Sequence, residues 1–508
     1  MLAGARPMSD EHEHRGNSPK GSDWLAWAPV LVAVLHGLSL ATVGPVDDDY
    51  IVYRYARNWL DGQGAVFNSG EAPVEGVTSP GWFLVVALGL RLGLSPELWS
   101  PAIGILSFAG LVWVVGAWAR SRRGSALAAL APWWIALSPA VAWHSVAGLG
   151  TVPLAAAISL GAYTWTRWAE GDRGAPWLPA AAFAVACLLR AEAAVVWAAW
   201  AALVRPPRRL SAMELGALCL PGVTLALVTL VRWRLHGTLA PHAFTMKALP
   251  LGAELEYGAA YLVRSLREGA LSLLLLVAVL APRGTAHGRA TALAAAGALV
   301  SVLLVGGDWI VYSRFLVPFA GLAAVGAVES LAALRAPGAR RAAAAGLLAA
   351  GLLGLGAREQ ARFEQGFFEH RWLEIGDAFG ALAPRGSSVA ISPIGAFGWR
   401  SGLEVVDVLG LTHGAFLGEA PDLAAVGVKG HHRHDGAWVL DQEPSYLVLG
   451  NGVVQPGTGT LDVNPWEGDI LADPRFDRLY RPLTLELEVD GGVASVPYFA
   501  RAGVRALR

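Results

Sequence analysis

The chain has 508 residues, of which 54% are hydrophobic and 16% charged, with a formal net charge of −1. That balance excludes an ordinary water-soluble protein, and the lack of a basic patch interleaved with aromatics excludes a nucleic acid partner. Cys187 and Cys219 both lie inside apolar runs, so neither a disulfide framework nor a thiolate metal site is expected.

Residues 1–23 are polar and mix the acids Asp10, Glu11, Glu13 and Asp23 with bases, reading as a disordered cytoplasmic tail. The apolar run 24–44 is longer than a signal-peptide core and predicts an uncleaved anchor in the lipid bilayer. Further apolar runs follow near 81–95, 100–119, 126–142, 149–166, 176–189, 192–204, 214–231, 269–281, 290–306, 315–333 and 342–357. Five loops between them (120–124, 167–173, 205–209, 282–289, 335–341) carry 13 Lys/Arg in 32 residues, against 9 in 94 for the loops 45–80, 139–148, 190–192, 232–268 and 307–314. The basic set is therefore assigned to the cytoplasm. For the amino terminus to share that side, 81–119 must cross an odd number of times. One part of it reads as re-entrant, giving a polytopic helical membrane domain of about eleven spans over 24–357.

The first outer loop, 45–80, opens with Asp47, Asp48 and Asp49. Behind them Ile51, Tyr55 and Trp59 recur every four residues, with Arg54, Asn58 and Asp61 on another face, which predicts an amphipathic helix lying along the membrane surface. Acids at a helix amino end are ordinary caps that favour the dipole. One suffices, however, and here there are three, followed by the NSGE turn, Glu71, Glu75 and Thr78. A carboxylate held at a membrane exit, where a lipid-linked substrate presents its head group, suits a general base.

The pattern DDxYIxYRYARNxxxGxGxVFNxGExxVEGxTSPxW in this loop resembles the first-loop signature of the GT-C glycosyltransferases, in the branch containing the mycobacterial terminal β-(1→2) arabinofuranosyltransferase. VGGDWIVYSRFLVP (305–318) is similar to that branch's GGDW…RF pattern, LAPHAFTMKA (239–248) to its Pro-Asn-Thr-Phe-x-x-Lys loop with His242 in place of asparagine, and GAFGWRSGLEVVDVLGLTH (395–413) to its outer domain. The resemblance implies a GT-C-like membrane domain that uses a polyprenyl-phosphate sugar donor on the outer face. It places the catalytic aspartate pair on Asp47 and Asp48 and leaves Asp49 on a variable position. It further implies donor-phosphate contacts from Arg314, Lys247, His242 and Arg54, and substrate contacts from Tyr50, Asn68, Glu75, Asp308 and Trp309. Two departures stand out: GLGT at 148–151 lacks the branch's Gly-Leu-Glu-Thr carboxylate, and RAE at 190–192 replaces Arg-Pro-Glu or Arg-Pro-Asp.

Without the resemblance, Arg314 beside Trp309 and Tyr312 also fits a snorkelling arginine in an interfacial aromatic belt, and Lys247 a snorkelling anchor. Arg190 and Glu192 between two apolar runs fit a functional pair or a local ion pair. HHRHD, 431–435, matches no metal-ligand spacing and reads as a solvated loop. No metal site and no certain cofactor is assigned, with a divalent cation left open. Residues 358–508 open with a polar helical stretch and continue as short strand-like runs, SSVAIS, EVVDVLG, YLVLG and ASVPYF, predicting a soluble α/β or α+β domain on the extracytoplasmic side, over the site.

The function expected is transfer of one sugar from a polyprenyl-phosphate donor to a hydroxyl of a glycan, lipid-linked glycan or protein at the outer face of a bacterial cytoplasmic membrane. The sugar expected is arabinofuranosyl-like. The alternatives are a protein O-mannosyltransferase-like enzyme and a non-enzymatic lipid-binding protein or transporter. Transporters commonly carry internal repeats and midplane polar groups, whereas this chain gathers its polar residues in loops on one face.

Overall fold

A computed structural model describes residues 24–122, 126–172, 176–353, 371–424, 427–450, 461, 463–489 and 492–507. The amino-terminal tail and the start of the polar stretch after 358 lie outside these residues.

The protein is a polytopic helical membrane protein carrying a mixed α/β domain. Helix α1 (Trp24–Leu38) leads into α2 (Asp47–Leu60), α3 (Pro80–Arg91) and α4 (Pro96–Ser121). Three described helices are individually long and apolar enough to cross a bilayer: α4, Ala212–His236 and Ala286–Val305. Helix α4, with 26 residues, is ~39 Å long, whereas the 12 residues of α3 reach only ~18 Å, short of a ~30 Å hydrocarbon core. Of the two apolar runs in 81–119, α4 alone has the length to span. Ala212–His236 begins with a capping box between Ser211 and Glu214 and ends on the left-handed Gly237. It buries only Glu214, Ala217 and Pro221 and exposes Val223, Leu227, Leu230, Val231 and Leu235, a face suited to lipid rather than water.

The stretch 139–148, expected as an outer loop, is helical through Val146. Pro139 occupies the first turn and the Ser138 hydroxyl accepts the Val141 N–H, so a new helix starts where a loop was expected. This helix, α5 (Pro139–Val146), is buried, and it meets α6 (Thr151–Ala169) at a 118° bend. Gly148, Leu149 and Gly150 make the bend with three successive positive φ angles.

The carboxy-terminal domain is built on a five-stranded sheet in the order β2-β1-β3-β5-β4, from β1 (Ser388–Ile391), β2 (Glu404–Asp407), β3 (Tyr446–Val448), β4 (Tyr480–Val489) and β5 (Gly492–Arg501). Strand β1 pairs in parallel with β2 and β3, and the β4–β5 hairpin adds antiparallel to β3. Tyr446, Tyr498, Phe379 and Phe397 pack edge to face beneath the sheet. The helix Ile394–Ser401, which follows β1, lies against α2 and joins the two domains.

Candidate active site

Consecutive residues on a helix point about 100° apart, and the three aspartates that open α2 accordingly reach three different partners. Asp47 turns to the carboxy-terminal domain. Its Oδ2 accepts the N–H of Gly395 at 3.0 Å and its Oδ1 that of Ala396 at 2.7 Å, so it caps the helix Ile394–Ser401. The two helices approach so closely that a Cβ at Gly395 would overlap the Asp47 carbonyl oxygen. Burial pushes the Asp47 carboxyl up to about 7 against the pull of those two amides. Asp49 turns inward and is fully buried, accepting the Trp82 indole N–H at 2.6 Å and the Leu149 N–H at 3.0 Å. Gly148 at the bend has φ +82°, and any side chain there would overlap the Asp49 carboxylate.

Asp48 faces the remaining direction. Its side chain keeps 20% exposure, and its Oδ2 lies 3.5 Å from Arg314 Nη1. Burial alone would raise its carboxyl, but Lys247 and then Arg314 outweigh burial and hold it below the usual carboxylate range.

Arg314 is presented on a strained turn. Tyr312 and Ser313 both adopt left-handed backbone, with φ 59° and 55°. The turn is held by the His144 imidazole against the Val311 and Tyr312 carbonyls, by Ser313 donating to Glu268, and by the Phe315 N–H donating to Tyr261. Arg264 donates to the carbonyls of Asp308 and Ile310. Arg314 Nε pairs with Asp308 Oδ2 at 2.6 Å, so the guanidinium bridges Asp308 and Asp48.

Next to this bridge opens a cleft lined by Arg190, Glu192, Arg314 and Phe315 at its polar end and by Leu154, Val302, Val305 and Phe319 among its apolar walls. Arg190 and Arg314 flank Phe315, each guanidinium carbon 5.3 Å from the ring centre, and Arg190 pairs with Glu192 at 2.9 Å.

Of the other residues singled out in the sequence, Lys247 and Asp308 join this group, and Trp309, at 44% exposure, stands beside it. The rest are engaged elsewhere. Arg54, expected at a phosphate, is buried and donates instead to the carbonyls of Phe67, Gly398 and Leu403 and to Asn68 Oδ1. Asn68 in turn bonds both the N–H and the carbonyl of Val405. These two residues fasten the loop 45–80 to the carboxy-terminal domain. Glu75 pairs with Arg232 at 2.6 Å, and His242 donates to the Gly410 carbonyl at 2.9 Å. Tyr50 is buried edge-on to Tyr53. The polar face of α2 is thus covered by the second domain rather than by water.

The sequence reading passed over His431, treating 431–435 as a solvated loop. Its ring lies 4.4 Å from that of Trp466 and 6.4 Å from that of Trp309, beside the Asp48 group. Nothing in the spacing of HHRHD signals this, because Trp309 and Asp48 come from segments more than 100 residues away. Among the described residues no group of three or more His, Cys, Asp or Glu side chains is placed to hold a metal ion.

A model for a Domain of unknown function (DUF8728) matches residues 355–485. No curated protein matches the chain. Among solved structures, ArnT from Cupriavidus metallidurans bound to undecaprenyl phosphate is similar at TM-score 0.53 and 14% identity, over 76% of this chain and 85% of that one. The arabinofuranosyltransferase AftD from Mycobacteria is similar at TM-score 0.50 and 16% identity, over 94% of this chain but only 41% of its own. The chain has the fold of the GT-C glycosyltransferases.

Proposed function

We propose that this protein is a membrane glycosyltransferase that moves one sugar from a polyprenyl-phosphate donor to a hydroxyl of a glycan, lipid-linked glycan or protein, on the extracytoplasmic face of a bacterial cytoplasmic membrane. One observation carries the reading. Of the three aspartates at the membrane exit, two are tied to backbone amides or an indole, while Asp48 is left against Arg314 and within the field of Lys247.

The cleft beside Arg314 suits the donor. A phosphate at its polar end meets the guanidiniums of Arg190 and Arg314, and an isoprenoid tail lies along Leu154, Val302, Val305 and Phe319. That ArnT, which shares the fold, binds undecaprenyl phosphate supports this class of donor. In the transfer step the acceptor oxygen forms a bond to the anomeric carbon, the bond from that carbon to the phosphate oxygen breaks, and the acceptor proton passes to Asp48. Arg314 and Lys247 stabilise the charge that gathers on the departing phosphate.

A carboxylate beside two cations is a weak base in the resting enzyme. Once the donor phosphate engages Arg314 and Lys247, their hold on Asp48 weakens and its proton affinity rises, so base strength follows donor occupancy. The resemblance in the first outer loop puts polyprenyl-phosphate pentofuranoses first among donors. The test is to incubate the purified protein in detergent with a panel of polyprenyl-phosphate sugars and candidate glycan acceptors. Consumption of one donor with release of polyprenyl phosphate supports the reading; inertness toward every donor, with equal inertness of Asp48→Asn, overturns it.

A further inference from the structure

We propose that His431, supplied by the carboxy-terminal domain, touches the substrate, its imidazole hydrogen-bonding a sugar hydroxyl held beside Asp48. This rests on the glycosyltransferase reading above and adds to it that the site is completed by both domains.

The loop that carries His431 is clamped onto the segment that ends in Lys247. On one side of it, the Lys429 ammonium donates to the Lys247 carbonyl at 2.8 Å and pairs with Glu254 at 2.5 Å. On the other, Arg433 donates to the carbonyls of Met246 at 2.5 Å and Ala248 at 2.8 Å. Between them Gly430 runs so close that a Cβ there would lie 3.3 Å from the Lys247 side chain. His431 is thereby fixed against a residue of the Asp48 cluster by contacts that do not use its own ring.

The surroundings of the ring fit a sugar. Trp466 backs it at 4.4 Å, and Trp309 stands 6.4 Å away at a 73° angle, half exposed and adjacent to the Asp308 that holds Arg314. Aromatic faces with a polar edge match a sugar ring, whose C–H faces are apolar and whose rim carries hydroxyls. Burial, and then Lys247, push the imidazole down to about 4, so it is neutral. The buried Nδ1 of the ring has no hydrogen-bond partner among the described residues. A neutral imidazole carries one N–H donor and one bare nitrogen that accepts an O–H. Among the described residues no side chain takes that role.

The test uses the full chain in detergent with whichever polyprenyl-phosphate sugar the wild type consumes. His431→Phe keeps a ring on Trp466 and removes both nitrogens; His431→Gln restores a hydrogen-bonding group. The expectation is that His431→Phe lowers kcat/KM about 10- to 100-fold, the scale of one lost hydrogen bond in a desolvated site, while the thermal midpoint and polyprenyl-phosphate binding stay at wild-type values, and that His431→Gln recovers part of the loss. If the hydroxyl belongs to the donor sugar, slow hydrolysis of the donor without acceptor falls in parallel; if it belongs to the acceptor, only the acceptor KM rises. Wild-type kinetics in His431→Phe overturns the proposal, as does an equal loss in both variants accompanied by a lowered thermal midpoint, which marks a packing role. A wild type that consumes no donor defeats the parent reading instead, so the two failures are distinct.

Discussion

Asp48 and Arg314 lie 3.5 Å apart across the boundary between the loop 45–80 and the turn at 312–314, two segments separated by more than 250 residues. Asp47, one position earlier, caps a helix of the other domain. The neighbours therefore differ in what their removal should do. Asp48→Asn is expected to lower transfer about 10²- to 10⁴-fold, the scale of general acid–base catalysis, with donor binding retained and the thermal midpoint unchanged. Asp47→Asn is expected to lower the thermal midpoint and to reduce activity only through loosened docking. Turnover with the matched donor, donor binding and melting on both variants check this, and a slow but fully stable Asp47→Asn would reverse the assignment.

The second expectation concerns pH. In the free enzyme Lys247 and Arg314 hold the Asp48 carboxyl below the usual range despite its burial. In the proposed mechanism donor phosphate shares the two cations and lets that carboxyl rise. Since kcat/KM reports the free enzyme and kcat the bound complex, the acid limb of kcat should lie at higher pH than that of kcat/KM for the donor. Lys247→Met removes one cation from the start, so its kcat/KM limb should move up toward the kcat limb. Coincident limbs in the wild type would show that donor binding leaves Asp48 unaltered.

A third expectation separates the two guanidiniums of the cleft. Arg190 and Arg314 both flank Phe315, but only Arg314 also touches Asp48. Losing one charge-assisted contact to phosphate costs about 1.5–3 kcal/mol, or roughly 10- to 100-fold. Arg190→Ala should raise donor KM by that factor and leave kcat near wild type. Arg314→Ala should lower kcat as well, since it removes charge stabilisation at the departing phosphate and leaves Asp308 unpaired. Equal kinetic signatures for the two would mean the phosphate does not sit between them.

What could be read from the sequence depended on whether the signal was local. Hydropathy marked the membrane domain, and short alternating runs such as SSVAIS and YLVLG coincide with β1 and β3, because period and composition are properties of adjacent residues. The bend at 148–150 and helix α5 were hidden: a buried helix and an outer loop of similar polarity look alike until the Ser138 cap and the left-handed glycines are seen. The polar stripe of α2 misled for a related reason. Arg54 and Asn58 look the same in sequence whether water or a second domain covers them. The same limit applies to the three aspartates, whose separate partners at Trp82, Ala396 and Arg314 are set by tertiary approach alone.

Arg54 offers a fourth expectation, on how the second domain is held over the site. Its guanidinium stacks on Phe67 at 4.6 Å and donates to the Gly398 and Leu403 carbonyls of the carboxy-terminal domain as well as to Phe67 and Asn68 in the loop 45–80. One planar fork thus satisfies buried acceptors on both sides of the interface, a geometry that the single ammonium of lysine cannot reproduce. Arg54→Ala takes the guanidinium donor from the buried Gly398 and Leu403 carbonyls at about 1–3 kcal/mol each where no water enters, so the thermal midpoint should fall by several degrees and limited proteolysis should release the carboxy-terminal domain sooner. Arg54→Lys should restore only part of this. Because His431 sits on the docked domain while Asp48 and Arg314 do not, activity should fall with docking whereas binding of polyprenyl phosphate in the membrane domain should persist. Loss of that binding in Arg54→Lys, with melting and proteolysis unchanged, would instead place Arg54 at the phosphate.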